Sequence, residues 1–408
     1  MFSVVTPGGA RATAALWAAA VDAGGSPRQI SADAKLSSEF AVSPDGRGIY
    51  FSAQATHGLW WLPLADPATP AGEPRPTGLP VTGSSLSSIA VSPDGRHLGW
   101  TANESAATIW EAGATSERGI VPAPLVAMST TGWRAGYPAV SSDGRVAFIG
   151  NRGNGRNDIF LVVPGSEPRQ LTADGRDHGA PFWLAGDRAI AVIADHGDGP
   201  AFWALDPDNG QERLLFTVAS IPQPPGVQSQ VRGPSAGLAL TRDLAGVAAA
   251  FIRDGVPNVW TMALGARGPA GPFVQRTFEK DGGSYAAWSG NGAWLAYQCR
   301  QGADSNICAI GADGRNRVQL THDPGESFLG GWGSDHDTIL FAARRRAVWN
   351  ITRVSRGSGL QQALTSFTEP RFYVRYPRWD AVHARVVFER FETRGTLWSV
   401  TLPAARPQ

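Results

Sequence analysis

The chain has no long apolar run. No stretch of its 408 residues approaches the roughly eighteen consecutive apolar residues of a membrane-spanning helix, so no span is expected. Charge is scarce: 17% of residues are charged and the net charge is +1. That leaves no basic stripe for nucleic acid or for an anionic membrane surface. Lysine is nearly missing, at positions 35 and 280 only, so the basic residues are almost all arginine. Such an imbalance reflects base composition better than a phosphate-binding surface. The first ten residues contain neither Lys nor Arg, so they do not read as a secretory signal. No C-x-x-C occurs, and the seven histidines, at 57, 97, 178, 196, 322, 336 and 383, are scattered. No zinc site is read from that distribution, and no cofactor is expected.

Catalytic motifs are missing too. There is no G-x-S-x-G elbow, no phosphate-binding Walker loop, no G-x-G-x-x-G opening a helix, no H-E-x-x-H and no EF-hand loop. Asp206–Gly210 (DPDNG) resembles a calcium loop, but its glycine falls one position early, so it reads as a turn. No catalytic residue is assigned.

Turn formers are abundant instead, with 49 Gly and 30 Pro, together with 15 Trp. They fall into a repeat. Phe40–Leu64 (FAVSPDGRGIYFSAQATHGLWWLPL) recurs at Ile89–Gly113 and at Tyr137–Val163. Each copy is a short apolar run, a Ser-Pro-Asp-Gly-type turn, an apolar strand, a polar loop and a second aromatic-rich strand. In the turn, Pro44 presets φ, Asp45 bonds nearby N–H groups and Gly46 accepts positive φ. These Asp residues are therefore turn formers. First strands are expected near Phe40, Ile89, Tyr137, Ala180, Leu238, Tyr285, Phe328 and Tyr376. A period of about 45–50 residues is that of one β-propeller blade.

The expected fold is all-β, a propeller of four-stranded antiparallel blades over residues 1–408 as one domain, with eight blades and seven as the fallback. Residues 1–31 are expected to hold partial strands of an N-terminal blade. The C-terminal segment supplies YPRWD, RVVFERF and TLWSVTL, and residues 27–31 (PRQIS) are expected to close that blade as its fourth strand. Both LWAAAV near the N-terminus and TLWSVTL near the C-terminus read as third strands. Cys299 and Cys308 flank a hairpin loop; they read either as a disulfide, which suits an oxidising compartment, or as two buried thiols.

The pattern [YF]-P-x-[WFV]-S-[PS]-D-G-R-x-[IV]-x-F, followed by D-I-[FY] and P-R-Q-L-T, resembles the TolB-like, or PD40, repeat family of bacterial propellers. Tyr137–Thr172 fits best. The resemblance implies a propeller fold, a periplasmic or secreted location and a protein or peptide partner. Some relatives of this type are polysaccharide lyases with a metal site, and others are sensor portions of signalling proteins. It leaves three readings: a non-catalytic binding scaffold, a metal-dependent carbohydrate lyase or hydrolase, and the sensor portion of a larger signalling protein. A ligand is expected at the funnel mouth, where the segments entering the first strands carry Glu39, Arg134, His178, Arg232, Asp281, Glu326 and Arg375.

Overall fold

A computed structural model describes the chain except residues 1, 7–12, 20–25, 32–35, 54–57, 80–84, 114–122, 125–133, 152–155, 230–236, 267 and 403–408. Arg232 lies outside the described residues. The described residues are strands and turns, with two short 3-10 turns at Ala185–Asp187 and Val218–Ser220. Among the described residues no helix is long and apolar enough to cross a membrane. The chain divides into two compact units, Met1–Ser105 with Thr393–Gln408, and Ala106–Glu392.

The turns form as the spelling demands. Gly46 N–H bonds Ser43 O at 2.9 Å, with Gly46 at φ +70. Asp45 Oδ1 accepts from the Ser43 hydroxyl at 2.7 Å and from Arg47 N–H at 3.0 Å. Those bonds hold the Asp45 carboxyl below its ordinary value. Ser92–Asp94–Arg96 repeats the arrangement; in Ser141–Asp143–Arg145, Asp143 accepts from the Ser141 hydroxyl and Arg145 Nε, and Arg145 N–H donates to Ser141 Oγ. Asp206 likewise folds back on the N–H groups of Asp208 and Asn209, the turn that DPDNG was expected to make.

In the larger unit the strands form six antiparallel sheets among the described residues, spanning 134–170, 182–217, 228–275, 283–319, 326–363, and 372–392 with 106–124. Six apolar clusters lie between successive sheets. Ala147, Ile149, Ile159 and Leu161 pack on Trp183, Ile190 and Val192; Ala296, Ile307 and Ala309 pack on Ile339 and Phe341. Another of the six joins Ile109 and Val387 to Ala135, Val146 and Phe148, so the last sheet also packs on the first.

Two side-chain devices explain the repeat's lettering. The Thr ending the R-Q-L-T motif accepts the N–H of a third-strand residue and donates to the Asp or Asn just before it. Thr172 takes Ile159 N–H and reaches Asp158; Thr277, Thr321 and Thr365 do the same with Val259 and Asn258, Ile307 and Asn306, and Ile351 and Asn350. The first-strand Trp ties sheet to sheet. The indole N–H groups of Trp183, Trp288 and Trp332 donate to Ala139, Ala239 and Ala287 carbonyls of the preceding sheet at 3.1, 3.1 and 2.9 Å.

All eight expected starts fall within two residues of, or inside, a first strand. The copies starting near 89 and 376 differ from expectation beyond that point. Neither makes the hairpin between its second and third strands. His97–Gly113 and Arg385–Thr401 each run 17 residues without turning, and they pair with each other. Within the larger unit the sheet is therefore Phe372–Asp380, residues 385–392, residues 106–113 and Ala123–Pro124. Within the smaller unit Ser85–Val91 pairs with the start of His97–Gly113, and Leu402 N–H bonds Arg96 O at 2.7 Å. The reason is local. The sequence NESAA offers no Gly or Pro to turn on, and Gly395 is used for close approach, since a Cβ there would lie 3.2 Å from Thr101 and Asn103. The closing role given to residues 27–31 is corrected by the same finding: Arg28–Ser31 pairs with Thr13–Ala18, and Ala123–Pro124 takes the outer place beside Trp110 and Glu111.

Cys299 and Cys308 are joined by a disulfide, Cα–Cα 5.9 Å, across a separation of 9 residues. Both are buried.

Two stability predictions follow from these contacts. Thr321 has no exposed surface, so Thr321→Val orphans the Ile307 N–H and should cost about 1–3 kcal/mol; Thr321→Ser should cost less, and urea unfolding of both variants measures the difference. Replacing both cysteines by Ala should cost about 2–3 kcal/mol by releasing the small loop in the unfolded chain, with the wild type in reductant falling toward the variant.

Candidate ligand-binding site

The site begins with strained backbone. Tyr137, Tyr285 and Tyr376 adopt φ of 54, 50 and 52, each at a register shift in its first strand. A bulge re-aims a side chain out of the pleat. Tyr137 and Tyr376 also precede a proline, which favours extended backbone, so both are held against two preferences. Such strain persists only where the surroundings over-determine it. Here the two rings stack on each other, centroids 4.3 Å apart.

Arg375 is what they stack around. Its guanidinium lies 5.0–5.8 Å from the rings of Tyr137, Tyr373, Tyr376 and Phe391. Its Nε and Nη2 both donate to Glu389 Oε1, at 2.7 and 2.6 Å. Glu389 has no exposed surface, and its Oε2 accepts Tyr137 N–H at 3.1 Å. Gly136 is required beside it, because a Cβ there would meet Glu389 Oε2 at 2.5 Å. Burial pushes the Glu389 carboxyl above its usual value, against the pull of Arg375 and of Tyr137 N–H. Burial works against the charge on Arg375, but Glu389 holds it above its ordinary value. Tyr373 is pushed up to about 12 by burial, and burial raises Tyr376 further. At neutral pH these phenols are aromatic surface and neutral hydrogen-bonding groups, not bases.

Beside this cluster is a cavity of ≈ 170 Å³ lined by Ala107, Arg134, Tyr137, Ile149, Asn157, Arg375, Glu389 and Phe391 among others. Of the residues expected at a funnel mouth, Arg134 and Arg375 meet here. Glu326 stands close enough to act on Tyr373 and is 3.6 Å from Arg344. Asp281 is exposed and accepts Gly302 N–H at 2.9 Å, a turn contact. Glu39 belongs to the smaller unit, where it accepts Ser88 N–H at 3.1 Å.

His178 goes elsewhere. It is wholly buried, with Nε2 3.1 Å from Glu212 Oε1 and 4.0 Å from Asp174 Oδ2. His196 Nε2 lies 2.8 Å from Glu212 Oε2, and its ring stacks on Trp203 at 3.8 Å. Ligating atoms of Asp158, Asp174 and His178, and those of Asp174, His196 and Glu212, come within 4.8 Å of one another. Glu389, Glu212 and Asp174 were not singled out in the sequence. The available signal for Glu389 was a carboxylate inside the otherwise apolar run VVFERF.

Glu389→Ala leaves a half-buried guanidinium and the Tyr137 N–H without their acceptor. Stability should fall by about 3–5 kcal/mol, and the double variant Glu389→Leu/Arg375→Met should recover more than half of it. A denaturant double-mutant cycle reads both numbers.

No family model and no curated protein matches the chain. Solved structures do. An Agrobacterium tumefaciens protein described as a TolB aligns with a TM-score of 0.50 at 13% identity, covering 71% of this chain and 99% of its own. TolB from Acinetobacter baumannii aligns at 0.43 and 12%, covering 80% and 89%. An oligogalacturonate lyase from Vibrio parahaemolyticus aligns at 0.41 and 11%, covering 68% and 80%. At these identities the likeness concerns the fold, and the fold is that of a TolB-like β-propeller.

Proposed function

We propose that Ala106–Glu392 is a six-bladed, non-catalytic binding propeller that docks a protein or peptide segment at the Tyr137–Arg375 cavity. The observation that carries this is the cavity's size and lining. At ≈ 170 Å³ it falls below the about 300–1,000 Å³ of small-molecule sites and suits a single anchoring side chain. Its walls carry Tyr137, Phe391, Ile149 and Ala107 beside two guanidiniums, the Glu389 carboxylate and Asn157, with no nucleophile beside a base among the described lining residues. Aromatic and Arg groups around a small pocket are what protein anchors use. Six blades are supported by the six inter-sheet clusters, including the one joining the last sheet to the first. A periplasmic or secreted setting is supported by the disulfide.

The favoured partner is an extended segment presenting a carboxylate next to an apolar side chain. One observation favours a second reading, a metal-dependent enzyme acting on carbohydrate: ligating atoms of Asp174, His196 and Glu212 come within 4.8 Å of one another, with His178 3.1 Å from Glu212. That cluster has a fully buried His178, which leaves little room for a substrate.

The test is peptide display against the whole chain. Enriched peptides should carry Asp, Glu or a free C-terminus beside an aromatic or aliphatic residue, and Arg134→Glu should weaken them at least tenfold. Arg134 is exposed at the start of its strand, and circular dichroism of the variant checks that its fold is intact. Absence of enrichment, or binding indifferent both to Arg134→Glu and to Ile149→Trp filling the cavity, would sink the assignment.

A further inference from the structure

We propose that Asp174, His178, His196 and Glu212 form a closed site for one divalent transition-metal cation, with zinc as the model ion. The site would pin the connection carrying Asp174 and His178 to the 195–200 hairpin and to the start of Glu212–Thr217. Ligating atoms of Asp174, His196 and Glu212 lie within 4.8 Å of one another, as do those of Asp174 and His178 with Asp158, and Glu212 links the two imidazoles. Glu212 sits between the two imidazoles, its Oε1 3.1 Å from His178 Nε2 and its Oε2 2.8 Å from His196 Nε2. Asp174 Oδ2 is 4.0 Å from His178 Nε2. Zinc–nitrogen and zinc–oxygen bonds of about 2.0–2.2 Å in a tetrahedron place donors about 3.4 Å apart. The three separations bracket that value, and bringing both imidazoles to one ion requires the Glu212 carboxylate to swing from between them.

A second observation points the same way. His196 Nε2 is buried and makes no hydrogen bond, although Glu212 Oε2 is near; the carboxylate stands off the line the nitrogen requires. A buried ring nitrogen in that position needs a partner, and a cation between it and the carboxylate is one. The surroundings also orient the ligands, as outer partners of metal-bound histidines do. His178 Nδ1 is 3.5 Å from Thr172 Oγ1, whose hydroxyl is tied to Asp158. His196 is fixed against Trp203. Two carboxylates with two neutral imidazoles carry the charge a divalent ion neutralises. Arg176 bonds both oxygens of Asp174, but each oxygen keeps a second lone pair for a metal.

Low exposure makes this a structural site rather than an open catalytic one. The side chains of His178, Glu212, His196 and Asp174 are 0, 12, 21 and 28% exposed. Its occupancy bears on the nearby cavity. Asn157, a lining residue, accepts His178 N–H at 2.9 Å and donates its own N–H to Asp177 at 2.9 Å.

The experiment is calorimetric titration of the EDTA-treated, dialysed chain with zinc chloride. Roughly one equivalent per chain should bind saturably, while magnesium and calcium, which favour all-oxygen sites, should not compete. Asp174→Asn and His196→Gln, both at partly exposed side chains, should each weaken zinc at least tenfold. His322→Gln, outside the cluster, should not. Cobalt bound in place of zinc should show the visible absorption of a four-coordinate ion. Failure of the wild type to bind about one equivalent, or undiminished affinity in either variant that folds by circular dichroism, overturns the site. Because the readout is metal binding alone, its failure leaves the docking proposal standing, and the reverse also holds.

Discussion

The constraint that governs this structure is that a sheet's middle strands have no free face. In Val146–Asn151, Asp158–Val162, Gly246–Arg253 and Asp304–Gly311 successive residues are buried whichever way they point. Side chains on the two faces feed different apolar clusters: Val146 and Phe148 pack with Val387, whereas Ala147 and Ile149 pack with Trp183. The usual alternation of an exposed antiparallel sheet is therefore lost, and short continuous apolar runs replace it. Burial on that scale carries the stability. Polar side chains within those strands need dedicated partners, which is why the Thr hydroxyl at the end of the fourth strand serves both a third-strand N–H and the neighbouring Asp or Asn.

The same constraint explains where function can sit. Polar chemistry is displaced to first strands, to the segments that enter them and to hairpin tips. Glu389 breaks the rule, standing in a middle strand after Val386, Val387 and Phe388, all buried. A lone carboxylate there would be costly. It is retained with a guanidinium at 2.6 Å and a backbone N–H at 3.1 Å, and those bonds in turn hold Tyr137 in its left-handed conformation at the cavity wall. The buried charge and the strained backbone thus support one feature, an aromatic rim whose shape is set before any ligand arrives. Preorganisation of this kind reduces the ordering cost of binding.

The fold was legible because its punctuation is chemical. Ser-Pro-Asp-Gly specifies a turn through φ at Pro44 and Gly46 and through Asp45's bonds, so each intact copy located a hairpin even with no alignment. Where the spelling decays, as at Ala185–Asp187, the apolar strands on either side still marked the repeat. The site was less legible. Arg134 and Arg375 were named because they enter first strands, and they do meet. Asp281 and Glu326 satisfy the same criterion yet serve a turn and an exposed ion pair. Position in the repeat places a residue at a rim but does not say which neighbours share it. Glu212 and His196, at a fourth-strand start and a hairpin tip, become neighbours of His178 only through that copy's own pairing, in which His178 bridges Ala194 on the second strand.

The two unturned strands show what a repeat cannot encode. Every copy offers a first and second strand that need a third. TLWSVTL, exposed over most of its length, serves His97–Gly113 as that partner instead of RVVFERF. Which pairing forms is decided by the connection, not by the strand. A connection containing a turn former closes locally, as at Gly302 between Trp294–Gln301 and Asp304–Gly311. NESAA, with no Gly or Pro, continues as strand, whereas Arg346–Ala347 closes its hairpin without either by taking positive φ, and the partner of the continued strand comes from a copy nearly three hundred residues away. Self-similarity makes the strands interchangeable, so the few residues between them carry the topology.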